Sequence, residues 1–148
     1  MKPEETVDYH IRAAWYGFFR MYNQEAVKHG FTTSIGFVLL NLHYEVGTPA
    51  TKIAPLMGME SRSLSRMLNN MEEQGFIRKE QSENDKRSVL IFLTDKGREK
   101  REISRLTVRG FNEELSSKIS TEEFTTFVKV MNKINSQIET NTELKLKV

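Results

Sequence analysis

The spacing of apolar residues changes abruptly at Gly75, and this change limits which folds are open to the chain. Before Gly75, apolar residues recur every three or four positions and predict a helix over 61–74. These residues are Leu64, Met67, Leu68 and Met71. After Gly75, short β-prone runs at 76–79 and 89–93 enclose a polar segment at 80–88, which is typical of a hairpin with a long charged tip. The chain therefore combines helices with one small hairpin.

Three further helices are expected ahead of this point. The same three-to-four-residue spacing predicts a first helix over about 5–29. A second is expected to begin at a Thr33 cap and to end at Gly47. A short third is expected to have Thr48 as its N-cap and Pro49 at its first position, where the missing N–H costs nothing.

Two long helices are expected after the hairpin. Thr94 is expected to cap the first of them, and Ser120 with Glu123 forms the capping box of the second. The tail 141–148 is expected to fray. The order of elements makes residues 31–101 a winged helix-turn-helix pattern, so the predicted fold class is mainly α with a small β-hairpin wing.

The amino-acid composition and motif content exclude several kinds of chemistry. The chain has no cysteine, which excludes disulfides and thiolate catalysis, and its three histidines lack metal-site spacing. No glycine-rich phosphate loop and no Gly-x-Ser-x-Gly motif occurs, so we expect neither an enzyme, a cofactor nor a metal. No apolar run approaches the roughly 20 residues that cross a bilayer, and no leader-type block follows the N-terminus. A cytoplasmic protein without a membrane partner is expected.

The positive charge is concentrated in the middle of the chain. The formal net charge is +2, from 22 lysines and arginines against 20 aspartates and glutamates. Residues 61–101 carry ten basic and seven acidic side chains and hold the excess. This distribution favours a localised anionic partner, although ordinary solvated side chains would give the same count.

Four polar residues lie away from the apolar stripe of the fourth helix. At 100° per residue, Arg62, Arg66 and Asn69 lie about 140–200° from the stripe, and Ser65 lies on the flank near ~100°. No acidic residue interrupts this face before Glu73. In the major groove, arginine pairs bidentately with guanine and asparagine with adenine, while serine reaches phosphate or a base. The face therefore predicts DNA contact; a merely solvated helix face is the alternative.

The hairpin tip carries a second signal. Lys86 and Arg87 at the end of a two-stranded ribbon could reach the phosphate backbone, and a narrow minor groove attracts an inserted arginine. Asp85 is expected to orient the Arg87 guanidinium by a hydrogen bond, because a positioned side chain loses less freedom on binding.

The terminal helices, 1–30 and 102–148, carry large apolar side chains that one winged-helix module at 31–101 could not cover. A two-fold partner would bury them, so we expect a homodimer formed through these two segments. The 148 residues are expected to form a single domain. A compact monomer with the last helices folded back is the alternative.

The segment 59–97 resembles the signature region of MarR-type transcriptional regulators. The matching pieces are Ser65-Arg66, Leu68, Met71-Glu72, Gly75-Phe76-Ile77, Asp85-Lys86-Arg87 and Leu93-Thr94-x-x-Gly97. The resemblance implies an obligate homodimer whose first, fifth and sixth helices interlock. It also implies recognition helices in successive major grooves, a wing beside the adjacent minor groove, and an effector pocket between the dimerisation helices and the DNA-binding lobe. Pro55 lies where the family usually has an ordinary helix-forming residue. The lack of cysteine excludes the family's thiol-based peroxide sensors.

The sequence thus predicts a sequence-specific regulator that binds double-stranded DNA. Two-fold symmetry predicts a pseudo-palindromic operator with half-site centres roughly 10 base pairs apart. That the protein is a repressor relieved by a small-molecule effector is implied by the resemblance alone, and no residue is assigned to the effector. Two alternatives stay open: a winged-helix module that binds an acidic protein surface, and a small enzyme that uses the aromatic stretch of the first helix.

Overall fold

The computed structural model describes residues 1–141; residues 142–148, which contain most of the tail expected to fray, lie outside this range. The helices are α1 (Val7–Ala26), α2 (Thr33–Leu40), α3 (Ala50–Met57), α4 (Ser61–Glu73), α5 (Asp95–Ser116) and α6 (Thr121–Thr140). The strands are β1 (Thr48–Pro49), β2 (Ile77–Gln81) and β3 (Val89–Leu93). Short 3-10 turns at Pro3–Glu5 and Val27–His29 flank α1. A mainly helical fold with a small antiparallel wing confirms the predicted fold class.

The chain divides into two compact units, Met1–Val108 and Arg109–Val148, with the boundary inside α5. The first unit contains α1 to α4, the sheet and the beginning of α5. The second contains the end of α5 and all of α6. The expected single domain of residues 1–148, with a lobe at 31–101 and dimerisation helices at 1–30 and 102–148, stays a prediction.

The core of the first unit lies between the short helices and the sheet. Its largest fully buried side chains come from α2, α3, α4 and the two long strands, together with Leu42 after α2 and Phe76 before β2. They are Phe76, Leu39, Leu42, Ile53, Met71, Ile77, Ile91 and Val38. Burial of these aliphatic and aromatic groups is the main force holding α4 and the sheet together.

The interpretation of Thr48 and Pro49 as the start of a helix is wrong. The two residues form β1, whose partners on β3 are Ile91 for Thr48 and Leu90 for Pro49. The sheet order is β1-β3-β2, so β1 is an edge strand, where a residue without an N–H is tolerated. Helix α3 consequently begins one residue later than expected, at Ala50.

The second helix is also shorter than predicted. Its cap is Thr32, whose side chain accepts a hydrogen bond from the Ile35 N–H at 3.4 Å. Thr33 is buried instead, and its hydroxyl donates to the Phe19 carbonyl at 3.3 Å. The helix ends at Leu40, before Gly47. A Cβ at Gly47 would lie 2.6 Å from the Phe92 ring, so this glycine allows close approach to the sheet.

The caps predicted for the two long helices are confirmed. The Thr94 hydroxyl accepts from the Gly97 N–H at 3.0 Å and donates to the Gly75 carbonyl at 2.6 Å. Ser120 and Glu123 form the reciprocal capping box, with N–H to oxygen distances of 3.1 and 2.7 Å. Thr94 thereby joins the start of α5 to the turn that precedes β2.

Candidate nucleic-acid interface

Helix α4 is held by one buried stripe. Leu64, Leu68 and Met71 are at most 4% exposed, and Met67 packs partly buried against the same core. Ser61 begins the helix, and Gly75 follows it with φ +75°, a left-handed conformation that costs glycine little. The opposite face is therefore fixed in direction by the packing behind it.

The structure brings the four polar residues predicted on α4 to the exposed side of the helix. Arg62, Ser65, Arg66 and Asn69 are all exposed. Within residues 1–141, neither arginine takes part in an ion pair, so both guanidinium groups are available to an anionic partner. The Ser65 hydroxyl donates to the Ser61 carbonyl at 2.9 Å and is partly used by its own helix. Contact of these residues with DNA stays a prediction.

Asn69 is held by a residue that the sequence analysis did not select. The Lys79 ammonium, on β2, donates to the Asn69 Oδ1 and lies 3.4 Å from a Glu72 carboxylate oxygen. The other Glu72 oxygen accepts from the Lys79 backbone N–H at 3.1 Å. The sequence offered no signal for this contact, because it depends on how the hairpin sits against α4.

The wing tip is the loop of residues 82–88 between β2 and β3. The Ser88 N–H donates to the Asp85 carbonyl at 2.9 Å, and the Gln81 amide donates to the Lys86 carbonyl. Both Lys86 and Arg87 are exposed at the end of the hairpin. The tip therefore presents two adjacent cations on a hydrogen-bonded turn.

Asp85 acts differently from the prediction. Its Oδ1 accepts from the Arg87 backbone N–H at 2.9 Å, which is an Asx-type contact that shapes the turn. The sequence analysis expected a hydrogen bond to the Arg87 guanidinium. Among the described residues, the Asp85 carboxylate bonds to the Arg87 backbone instead. A carboxylate two residues before an N–H reaches it without ordering a long side chain, which explains why the backbone is the partner.

A small apolar cavity lies elsewhere in the first unit. Its volume is about 20 Å³, and its walls include Tyr22, Phe31, Phe37 and Ser104. This volume is about that of one water molecule. Burial raises the pKa of the Tyr22 hydroxyl, which stays neutral.

Neither Trp15 of α1 nor His43 in the loop after α2 lines this cavity. Trp15 is half exposed and stacks on Phe37 with ring centroids 5.8 Å apart. The His43 Nδ1 accepts from the backbone N–H groups of Glu45 and Val46 at 3.2 and 3.1 Å. His43 thus organises the loop after α2.

A short helix and a cation-bearing helix, α3 and α4, followed by the hairpin of β2 and β3, define a winged helix-turn-helix protein. The sequence model of the MarR family matches residues 31–89. TtmR, a helix-turn-helix transcriptional regulator of Methylorubrum extorquens, is 35% identical over 88 residues. The organic hydroperoxide resistance transcriptional regulator of Bacillus subtilis is 32% identical over 97 residues. The chain belongs to the MarR family.

These relatives are matched over part of their length. The match to TtmR covers 60% of this chain and 45% of that protein, and the match to the Bacillus regulator covers 66% of each. The chain therefore spans about half to two thirds of the curated relatives it matches.

Solved structures share the fold at lower identity. The MepR–DNA complex of S. aureus is 22% identical with a TM-score of 0.83, covering 90% of this chain and 98% of that one. PcaV of Streptomyces coelicolor, solved with its natural ligand, is 15% identical with a TM-score of 0.79, covering 92% and 96%. At these identities the likeness shows the winged-helix fold. In residues 1–141, no helix has the length and apolarity to span a membrane.

Proposed function

We propose that the protein is a transcriptional regulator that binds double-stranded DNA in a sequence-specific manner. Helix α4 would enter the major groove with Arg62, Ser65, Arg66 and Asn69, and the wing would meet the adjacent minor groove with Lys86 and Arg87. Asp85 would shape the turn that carries the two cations. The observation that carries the proposal is the α4 face with two arginines free of ion pairs in residues 1–141, opposite the buried side chains of Leu64, Leu68 and Met71.

Homodimerisation belongs to the same proposal. In the first unit, α1 exposes Val7, Ile11, Trp15 and Tyr16, with exposed fractions from 39 to 56%. In the second unit, α6 exposes Phe124, Phe127, Val128, Val130 and Ile138, with exposed fractions from 39 to 66%. Such apolar faces on a soluble domain mark an interface, and a two-fold partner would cover both copies equally. The operator would then be pseudo-palindromic, with half-sites about 10 base pairs apart.

We further propose that a small-molecule effector relieves repression. The support is family membership, together with PcaV, which was solved with its natural ligand. An effector acts only if it prefers one arrangement of the dimer over the other, and DNA must then weaken effector binding to the same degree. A cavity of about 20 Å³ is well below the size of a typical ligand pocket, so it would have to widen before it could accept a small-molecule effector.

The organic hydroperoxide resistance named for the Bacillus relative is not carried over to this chain. The sequence contains no cysteine, so it offers no thiol that a peroxide could oxidise. A regulator of this family is not expected to catalyse a reaction, and we propose a cytoplasmic location, where its DNA partner lies.

The salt dependence of binding to arbitrary duplex DNA tests the DNA-binding proposal. A protein that neutralises several phosphates loses affinity linearly on a log–log plot, with a slope of about −0.9 for each phosphate. We expect a steep loss for the wild-type protein and a slope shallower by about one unit for Lys86→Ala. A flat response would overturn the proposal and would favour a module that binds an acidic protein surface through the same arginines.

A further inference from the structure

Lys79 is held by Glu72 at two points. One carboxylate oxygen accepts the Lys79 backbone N–H at 3.1 Å, and the other lies 3.4 Å from the ammonium. The Lys79 side chain is 23% exposed, compared with 44% for Glu72. Most of this cation's stem is therefore covered, and its charge is directed at α4 rather than outwards.

The ammonium fixes which end of the Asn69 amide faces the wing. A lysine ammonium can only donate hydrogen bonds, so its partner atom on Asn69 must be the carbonyl oxygen, Oδ1. The amide nitrogen, which carries two donors, consequently lies on the side away from Lys79. Among residues 1–141, Lys79 is the hydrogen-bond partner of this amide, and without the contact the amide would be free to turn over.

This orientation changes what Asn69 can recognise. The bidentate pairing of asparagine with adenine needs Oδ1 to accept from the adenine amino group while the nitrogen donates to N7. Oδ1 keeps a second lone pair, but the donor-only ammonium beside it opposes the approach of another donor, so the side chain presents mainly its two N–H donors. Guanine offers two adjacent acceptors in the major groove, O6 and N7, whereas adenine places an amino group where guanine has O6.

We propose that Lys79 is a positioning residue that sets the base preference of Asn69, so that Asn69 favours guanine over adenine at the base pair it contacts. Glu72 contributes indirectly, because its carboxylate holds Lys79 in place. The inference rests on the proposed function, since it concerns the reading of DNA by α4. The inference predicts that Lys79, whose charge is already paired with Glu72, alters base specificity without contacting a phosphate.

Selection from a duplex library randomised across two half-sites tests the proposal. The contacted base pair is identified as the position whose preference disappears in Asn69→Ala. At that position we expect the wild-type protein to favour guanine over adenine by about tenfold, the discrimination typical of one good side-chain–base pairing. In Lys79→Met, which keeps the length of the side chain, this preference should fall to about twofold or less, or reverse. Glu72→Gln should give an intermediate loss.

Lys86→Met is the matched control, because it removes the same charge from the same hairpin without a contact to Asn69. It should weaken all duplexes alike and keep the guanine preference. In the Asn69→Ala background, Lys79→Met should produce no further change in base preference, which a general effect on folding would not predict.

Three results would overturn the inference. One is an unchanged preference in Lys79→Met, and another is a wild-type preference for adenine at the contacted position. Both would leave DNA binding itself intact. The third, failure of the wild-type protein to bind any duplex in a salt-dependent manner, would remove the proposed function and this inference together.

Discussion

The polar residues on the exposed face of α4 differ in how firmly the protein holds them. Asn69 is tied to Lys79, and the Ser65 hydroxyl is bonded to its own helix. Arg62 and Arg66 form no ion pair within residues 1–141 and keep their full donor capacity. Because an arginine fork matches the acceptors of guanine, we expect these two residues to carry the greater share of any base discrimination.

Arg66→Ala is expected to cost about 1–3 kcal/mol at the selected operator and to relax base preference at one position in each half-site. The measurement is fluorescence anisotropy against the operator and a random duplex at fixed salt. Arg105→Ala is the matched control, since that arginine is paired with Glu102 on α5. Equal losses on operator and random DNA would contradict a reading role for Arg66 and would indicate a phosphate contact.

At the scale of elements, the beginning of α5 is joined closely to the turn before β2. A Cβ added at Gly97 would lie 1.9 Å from the Phe76 carbonyl oxygen, and Thr94 bonds to both Gly97 and Gly75. This contact links the hairpin to the long helix that follows it. Only a residue without a side chain permits the approach.

Gly97→Ala is expected to destabilise the protein by about 1–3 kcal/mol, because the backbone must shift to admit the methyl group. Denaturant unfolding followed by far-ultraviolet circular dichroism measures the change. Gly110→Ala on the same helix is the control: its Cβ meets nothing within 4 Å, and alanine favours a helix over glycine. If Gly97→Ala is as stable as the wild type, α5 packs less closely against the Phe76 carbonyl than the structure indicates.

The capping box of α6 gives a second prediction at this scale. Ser120→Ala is expected to cost about 1 kcal/mol of unfolding free energy, because the Glu123 N–H loses its acceptor. Ser136→Ala, inside the same helix, should cost nothing measurable. Circular dichroism during denaturant unfolding distinguishes the two, and equal effects would contradict the capping role.

The same cap predicts a dependence on acid. The backbone N–H of Ser120, and then its hydroxyl, hold the pKa of the Glu123 carboxyl below its ordinary value. A depressed pKa means that the stabilisation is fully present above the ordinary pKa of glutamate and is lost as the pH falls through the lowered value. Glu123→Gln, which cannot titrate, should therefore lose less stability than the wild type on acidification, whereas Ser120→Ala would keep the backbone donor. An identical acid profile for Glu123→Gln would contradict this contribution.

At the scale of the whole molecule, the apolar face of α6 is the feature that a single chain leaves unexplained. Phe124 and Phe127 lie with ring centroids 6.4 Å apart and are 50% and 57% exposed. An aromatic pair of this size in water costs free energy that a partner surface would recover. The proposed dimer is the simplest arrangement that covers it.

Phe127→Glu is expected to shift the protein from dimer to monomer, since a buried unpaired carboxylate would oppose association. Sedimentation equilibrium measures the mass. Val46→Glu, at an exposed valine in the loop after α2, should leave the mass unchanged. A wild-type protein that is already monomeric at micromolar concentration would contradict the dimer, and loss of the dimer in both variants would point to a general effect on folding.

Most of the element order could be predicted from local patterns. The apolar stripe of α4, the turn signals around the hairpin and the Ser120–Glu123 box each depend on neighbours a few residues apart, and the structure confirms these elements. The exposed direction of Arg62 and Arg66 followed from the same helical geometry. Family membership likewise depends on a continuous stretch of chain, 31–89.

Contacts between distant segments decided the rest. Thr48 and Pro49 have the local signature of a helix start but pair with β3, because an open strand edge about forty residues later offers them hydrogen bonds. Lys79 reaches Asn69 only because the hairpin folds back along α4. Such pairings depend on how elements pack in three dimensions, and a single sequence carries no periodicity that reports them.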